Sequence, residues 1–151
     1  MAKDRRVRWT RDAKLKRLAK VPLFAQCTKT DLSRIASLAD ELEVPAGHVL
    51  MRQGADGHEC FVILSGRARV SFRGKRQSMR LGTGDCFGEM ALLQPRGKRS
   101  ATVTAENDMD LLVLTSRQFA SLIDNVPAVG RKVLAAVADR VREAERGQTA
   151  H

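Results

Sequence analysis

The sequence predicts an α+β fold, mainly β: an eight-stranded jelly-roll β-barrel flanked by N- and C-terminal helices. Three observations carry that expectation. Apolar residues recur at helical spacing at both ends of the chain. Between those ends, glycines at 47, 54, 57, 66, 74, 82, 84 and 88 cut the sequence into short apolar runs. One of those runs, Ala68, Val70 and Phe72, alternates with Arg67, Arg69, Ser71 and Arg73, the period of a half-buried strand.

The elements follow in order. The stretch TRDAKLKRLAKVPLF begins with Thr10 as a cap and sets Ala13, Leu15, Leu18, Ala19 and Val21 at helical spacing. A second helix is expected from TKTDLSRIASLADEL, with Leu32, Ile35, Ala36, Leu38 and Ala39 on one stripe and Thr28 or Thr30 as its cap. The texture changes at Pro45. Strand-like runs then appear at 49–51, at 60–64 and from Ala68, with a tight turn at Arg73-Gly74-Lys75. SATVTA and MDLLVLT supply later strands, and many short strands at near-regular spacing suit a barrel or jelly roll. After them Ser116 reads as a cap, Phe119, Leu122 and Ile123 share a face, and Pro127 separates this helix from a longer one. The reading divides the chain into a basic flexible arm (1–12), one domain (13–146) and a disordered tail (147–151). Within the domain it places helices at 13–43, the barrel at 44–115 and helices at 116–146.

Composition narrows the class. At 43% hydrophobic and 29% charged residues the chain suits a globular domain, and its 151 residues suit one such domain. No apolar run reaches the roughly 18 residues of a membrane span, and the N-terminus lacks a secretory core, so a cytoplasmic location is expected. Cys27, Cys60 and Cys86 are odd in number and irregularly spaced, which argues against a disulfide framework. His58 and Cys60 have no third ligand nearby, so no metal is expected. Of the formal charge of +10, the first twenty residues hold +7, beside the lone Trp9. Such an arm suits weak, non-specific contact with nucleic acid or an anionic membrane, and a merely solvated arm is the plainer reading.

Chemistry concentrates in CFGEMALLQPRGKRSATV, residues 86–103. Phe87 to Leu93 reads as a short helix with Gly88 at its start, and Pro95 and Gly97 follow. A helix start offers unpaired amides to an anion. Small residues at 88 and 91 let a ligand approach the backbone, and Arg99 can aim a planar fork of donors at the same anion. A carboxylate at Glu89 repels phosphate but accepts hydrogen bonds from hydroxyls. Together these residues describe a site for a ribose phosphate.

This stretch resembles the phosphate-binding cassette of cyclic nucleotide-binding domains, a family that includes catabolite-activator-type regulators, regulatory subunits of cyclic-nucleotide-dependent kinases and cyclic-nucleotide-gated channels. The resemblance covers about residues 18–145 and includes PLF at 22–24, PAGHVLMRQGADG at 45–57, FVILSGRARV at 61–70 and GTGDCFGEMALL at 82–93. It implies that Glu89 holds the ribose 2′-hydroxyl, that Gly88 and Ala91 give amide contacts to ribose or cyclic phosphate, and that Arg99 pairs with the exocyclic phosphate oxygens. Ser100 and Ala101 line the phosphate or base, and Phe87 and Met90 complete the cassette. In kinases of the family, threonine after the cassette arginine goes with cGMP and alanine with cAMP. Regulators with serine there respond to cAMP, so Ser100 leans to cAMP, with cGMP as the other candidate.

The resemblance also implies a lid. The C-terminal helix would swing over the base, with Leu134, Val137, Val141 and Ala144 as its apolar stripe and Arg140 stacking on the adenine. The same stripe could form a homodimer seam. The expected function is a non-enzymatic cyclic nucleotide sensor that signals to an effector protein the sequence does not name. The alternative is a catabolite-activator-type transcription regulator without its helix-turn-helix domain, since only GQTAH follows Arg146.

Overall fold

The computed structural model describes residues 10–93 and 97–150, and only the backbone of Arg140, Ala144 and residues 146–150. It begins with α1 (Arg11–Leu18), a 3-10 turn (Pro22–Phe24) and α2 (Lys29–Leu38). The strands are β1 (Asp40–Val44), β2 (Val49–Met51), β3 (Glu59–Ser65), β4 (Ala68–Ser71), β5 (Ser78–Leu81) and β6 (Cys86–Phe87). Then come α3 (Met90–Leu93), β7 (Thr102–Ala105), β8 (Met109–Thr115), α4 (Ser116–Asn125) and α5 (Pro127–Ala150).

The helix starts show why the chain turns where it does. The Thr10 hydroxyl accepts from the Ala13 amide at 3.2 Å. Of the two candidate caps for α2, Thr28 serves: it accepts from the Asp31 amide at 3.1 Å, and the Asp31 carboxylate accepts from the Thr28 amide at 2.9 Å. The cap of α4 is Thr115 rather than Ser116, because Gln118 closes the reciprocal pair with Thr115.

The strands form two four-stranded antiparallel sheets, β1-β8-β3-β6 and β2-β7-β4-β5. This is the eight-stranded jelly roll that the sequence predicts, built as two facing sheets that do not close into one barrel. The first strand also departs from that reading. β1 occupies 40–44, so residues 40–43 are strand where the reading assigned helix, with Asp40 opposite Val113 and Val44 opposite Met109. At the other ends, Arg11 and Asp12 belong to α1 and not to a flexible arm, while residues 1–9 lie outside the described residues. The backbone of residues 147–150, expected to be disordered, continues α5.

Two hydrophobic cores result. Phe61, Ile63, Leu111 and Val113 of the first sheet face Val70, Val103 and Ala105 of the second. On the other side of the first sheet, Val62, Leu64, Leu112 and Leu114 pack against Leu18, Phe24, Ile35, Phe119 and Val133 from the helices. Both faces of β3 and β8 are therefore buried, which explains their nearly unbroken apolar sequences. α5 docks through Val129, Val133 and Ala136, and Lys132 Nζ reaches Asp31 Oδ2 of α2 at 2.5 Å.

Candidate functional site

The segment singled out in the sequence is held at both ends. Phe87 is buried in the inter-sheet core and its ring stacks on Phe61 with centroids 4.8 Å apart. Leu92 is buried among the helices. Between these anchors the backbone turns sharply at Gly88, whose φ of 78° lies in the left-handed region that favours glycine. A side chain there would also collide: a Cβ would stand 2.8 Å from both Arg99 Nη1 and the Glu59 carbonyl oxygen. The Ala91 amide donates to the Gly88 carbonyl at 3.0 Å, so in this conformation it is engaged within the turn.

The opposite wall comes from the 52–57 turn, tied to the residues after the cassette. Gly54 N–H donates to the Arg99 carbonyl, and the Arg99 N–H donates to the Ala55 carbonyl, each at 2.8 Å. Lys98 Nζ meets Asp56 Oδ1 at 2.5 Å. These bonds deliver the Arg99 side chain across Gly57. A Cβ on Gly57 would stand 2.0 Å from Arg99 Nε, so the absence of a side chain makes the channel that the guanidinium occupies.

Arg99 is 9% exposed. Burial draws its pKa down from the usual arginine value, and the field of Glu59 works against that pull. Among the described residues no carboxylate forms an ion pair with it. A buried cation without an anion is costly, and an anionic ligand entering the cleft would offset that cost. Glu89 lines the same cleft, with Cys86 Sγ at 3.9 Å from its Oε2.

The cleft between these walls has a volume of about 120 Å³. Of the expected residues, Gly88, Glu89, Met90, Ala91, Arg99 and Ser100 line it. Phe87 and Ala101 do not: both side chains are buried in the inter-sheet core. The Arg140 side chain lies outside the described residues. Met51, Gly57, Gly97 and Lys98 also line the cleft, and sequence reasoning gave none of them a role there. The stripe expected on α5 also differs. Leu134 and Val141 are exposed, while Val129, Val133 and Ala136 make the docked face.

The cleft thus pairs a buried guanidinium with a carboxylate and a hydroxyl, a set suited to an anion that also carries hydroxyls. Residues 41–126 match the model of the family described as Cyclic nucleotide-binding domain. The chain is 35% identical over 116 residues to a cyclic nucleotide-gated potassium channel of Rhizobium etli, covering 77% of this chain and 32% of that protein. It is 33% identical over 129 residues to the cyclic AMP receptor protein of Thermus thermophilus, covering 82% and 59%. The chain therefore spans less than two thirds of either relative. Among solved structures, the N-terminal domain of a Streptomyces coelicolor transcriptional regulator superposes with a TM-score of 0.77 at 26% identity, over 86% of this chain and 94% of that one.

Proposed function

Because the chain belongs to the cyclic nucleotide-binding domain family, a family of regulatory modules, we propose that it is a sensor that binds cAMP in preference to cGMP and signals through α5. The observation that carries this reading is Arg99, buried at the cleft without a carboxylate partner among the described residues. The cyclic phosphate pairs with its guanidinium, and Glu89 accepts from the ribose 2′-hydroxyl. Amides around Gly88 complete the phosphate contacts. The preference for cAMP rests on Ser100, an exposed hydroxyl at the cleft and the residue found in cAMP-responsive regulators of this family.

Support for the α5 signal comes from packing. Leu92 of α3 shares one core with Phe119 and Leu122 of α4 and Val129 and Val133 of α5. A ligand that moves the cassette therefore pushes on the helices it touches. Leu134 and Val141 are left uncovered by their own chain, so the distal half of α5 has apolar surface to lay over a purine or against a second copy, with Arg140 stacking on the base. The ligand selects the closed arrangement only to the extent that it binds that arrangement more tightly.

Calorimetric titration of the purified chain with cAMP and cGMP tests the reading. Tighter binding of cAMP is expected. Tighter binding of cGMP would reverse the choice of nucleotide, and no heat with either would overturn the function. A second reading, the ligand-binding part of a transcription regulator, is favoured by the likeness to the Streptomyces coelicolor domain. Mobility shift on DNA separates the two. Binding by the basic N-terminus alone would vanish by about 200 mM salt, as backbone contacts do.

A further inference from the structure

The outer face of the β2-β7-β4-β5 sheet carries a groove of about 760 Å³ that shares no lining residue with the nucleotide cleft. Its charged lining is Arg67, Arg69, Arg80 and Glu106. In register, Arg69 of β4 stands directly opposite Arg80 of β5 on one side and Thr104 of β7 on the other. Like charges placed directly opposite weaken a strand pair, so this row has no explanation in sheet stability. Glu106 relieves only part of it. Its two carboxylate oxygens accept from Arg80 Nε at 3.0 Å, and Oε1 lies 3.5 Å from Arg67 Nε. Among the described residues Arg69 has no acceptor, and three arginines against one glutamate leave the groove at +2.

The groove ends at an open strand. β5 pairs only with β4, and its other edge has no strand among the described residues. Met79, next to Arg80 and therefore on the opposite face of β5, is 55% exposed. A segment lying along this edge meets backbone donors and acceptors in the plane of the sheet, guanidinium groups on one face and a thioether on the other.

We propose that this edge and groove dock an extended acidic segment of a partner protein, with carboxylates alternating with apolar side chains, added as a strand to β5. Charge complementarity and the two-residue period of a strand select this occupant. Carboxylates on one face meet the Arg69–Arg80 row, and apolar residues on the other cover Met79. A nucleic acid fits less well, because its phosphates make no use of the strand edge or Met79. Arginine at an edge also discourages basic strands from pairing there, which adds selectivity.

The probe is a fluorescein-labelled, end-capped peptide of alternating Glu and Leu, about eight residues long to match a typical strand. Fluorescence anisotropy with the full chain is expected to show saturable binding at about 50 mM salt that weakens at about 300 mM, where screening shortens the reach of charges. A Lys/Leu peptide should not bind. The R69E/R80E variant should bind the acidic peptide at least about tenfold more weakly, with its thermal midpoint by circular dichroism reporting that the fold is intact. Met79→Ser, at an exposed position, should also weaken the complex and serves if the double variant does not fold. Lack of saturable binding, or unchanged affinity in the variants, overturns the proposal. Equal or tighter binding of a single-stranded oligothymidylate through the same arginines also overturns it, and assigns the groove to nucleic acid.

Discussion

Arg99 takes its path from two positions that have no side chain. Charge-assisted hydrogen bonds contribute roughly 1.5–3 kcal/mol, and leaving a desolvated phosphate without its partner costs about 2–5 kcal/mol. At about 1.4 kcal/mol per tenfold, Arg99→Ala is expected to weaken cAMP between about tenfold and a thousandfold, with Arg99→Lys recovering only part because a point charge cannot replace the fork. Calorimetric titration of each folded variant checks this, and an unchanged dissociation constant removes Arg99 from the site. Gly57→Ala should act through the same guanidinium, since the new methyl occupies its channel. The double variant should bind no more weakly than Arg99→Ala alone, and a double-mutant cycle measures that coupling. Additive losses would mean that Gly57 acts by another route. That Glu89 and Arg99 share one cleft was legible in the sequence, because an acid and an arginine at that spacing have few joint explanations. Gly57 was not, because a glycine that clears room for a distant side chain looks the same as a turn glycine. Ala101 was expected to line the phosphate or base, yet the alternation that buries 101, 103 and 105 turns it into the core.

Among the elements, β1 was hidden because an edge strand shows little hydrophobic pattern. Asp40, Glu41, Leu42 and Glu43 are all exposed, and only Val44 is buried. β3 and β8 were easy to find because both of their faces are buried. On α5 the heptad-like stripe drew the eye, while the docked residues Val129, Val133 and Ala136 were set by a neighbouring 3-10 turn and α4 that the sequence could not place in space. The link from α5 to α2 has a pH signature. Lys132, and then the Thr28 amide, hold the Asp31 carboxyl below the usual carboxylate range. Such a group stabilises the fold above its unfolded pKa of about 3.9 and loses that contribution as pH falls through the lower folded value. Asp31→Ala should therefore cost about 1–2 kcal/mol at neutral pH, from the lost cap and ion pair. That difference should shrink once the carboxyl is protonated in both states. Urea unfolding of both proteins at pH 7 and near pH 2 checks the sign. Hydrogen exchange across residues 129–145 should slow when cAMP is added, and equal protection with and without nucleotide would leave a static binder.

For the molecule as a whole, the order of helices, strands and helices was plain from texture alone. Which strands pair was not, because the partners lie far apart in sequence: β1 joins β8, and β2 joins β7. That pairing makes β3 and β8 a wall common to two interiors, with Phe87 anchoring the cassette in one and Leu92 in the other. Neither interior can open without stripping a face from the same two strands. In calorimetric terms the helices and the jelly roll should melt as one unit, giving a single heat-capacity peak whose van't Hoff and calorimetric enthalpies agree. Nucleotide bound at the cassette should move that one peak upward without splitting it. Two separable peaks would mean that the wall does not hold the interiors together. A single peak makes the shared wall the reason that a small ligand at one edge is felt thermally by every layer of the protein.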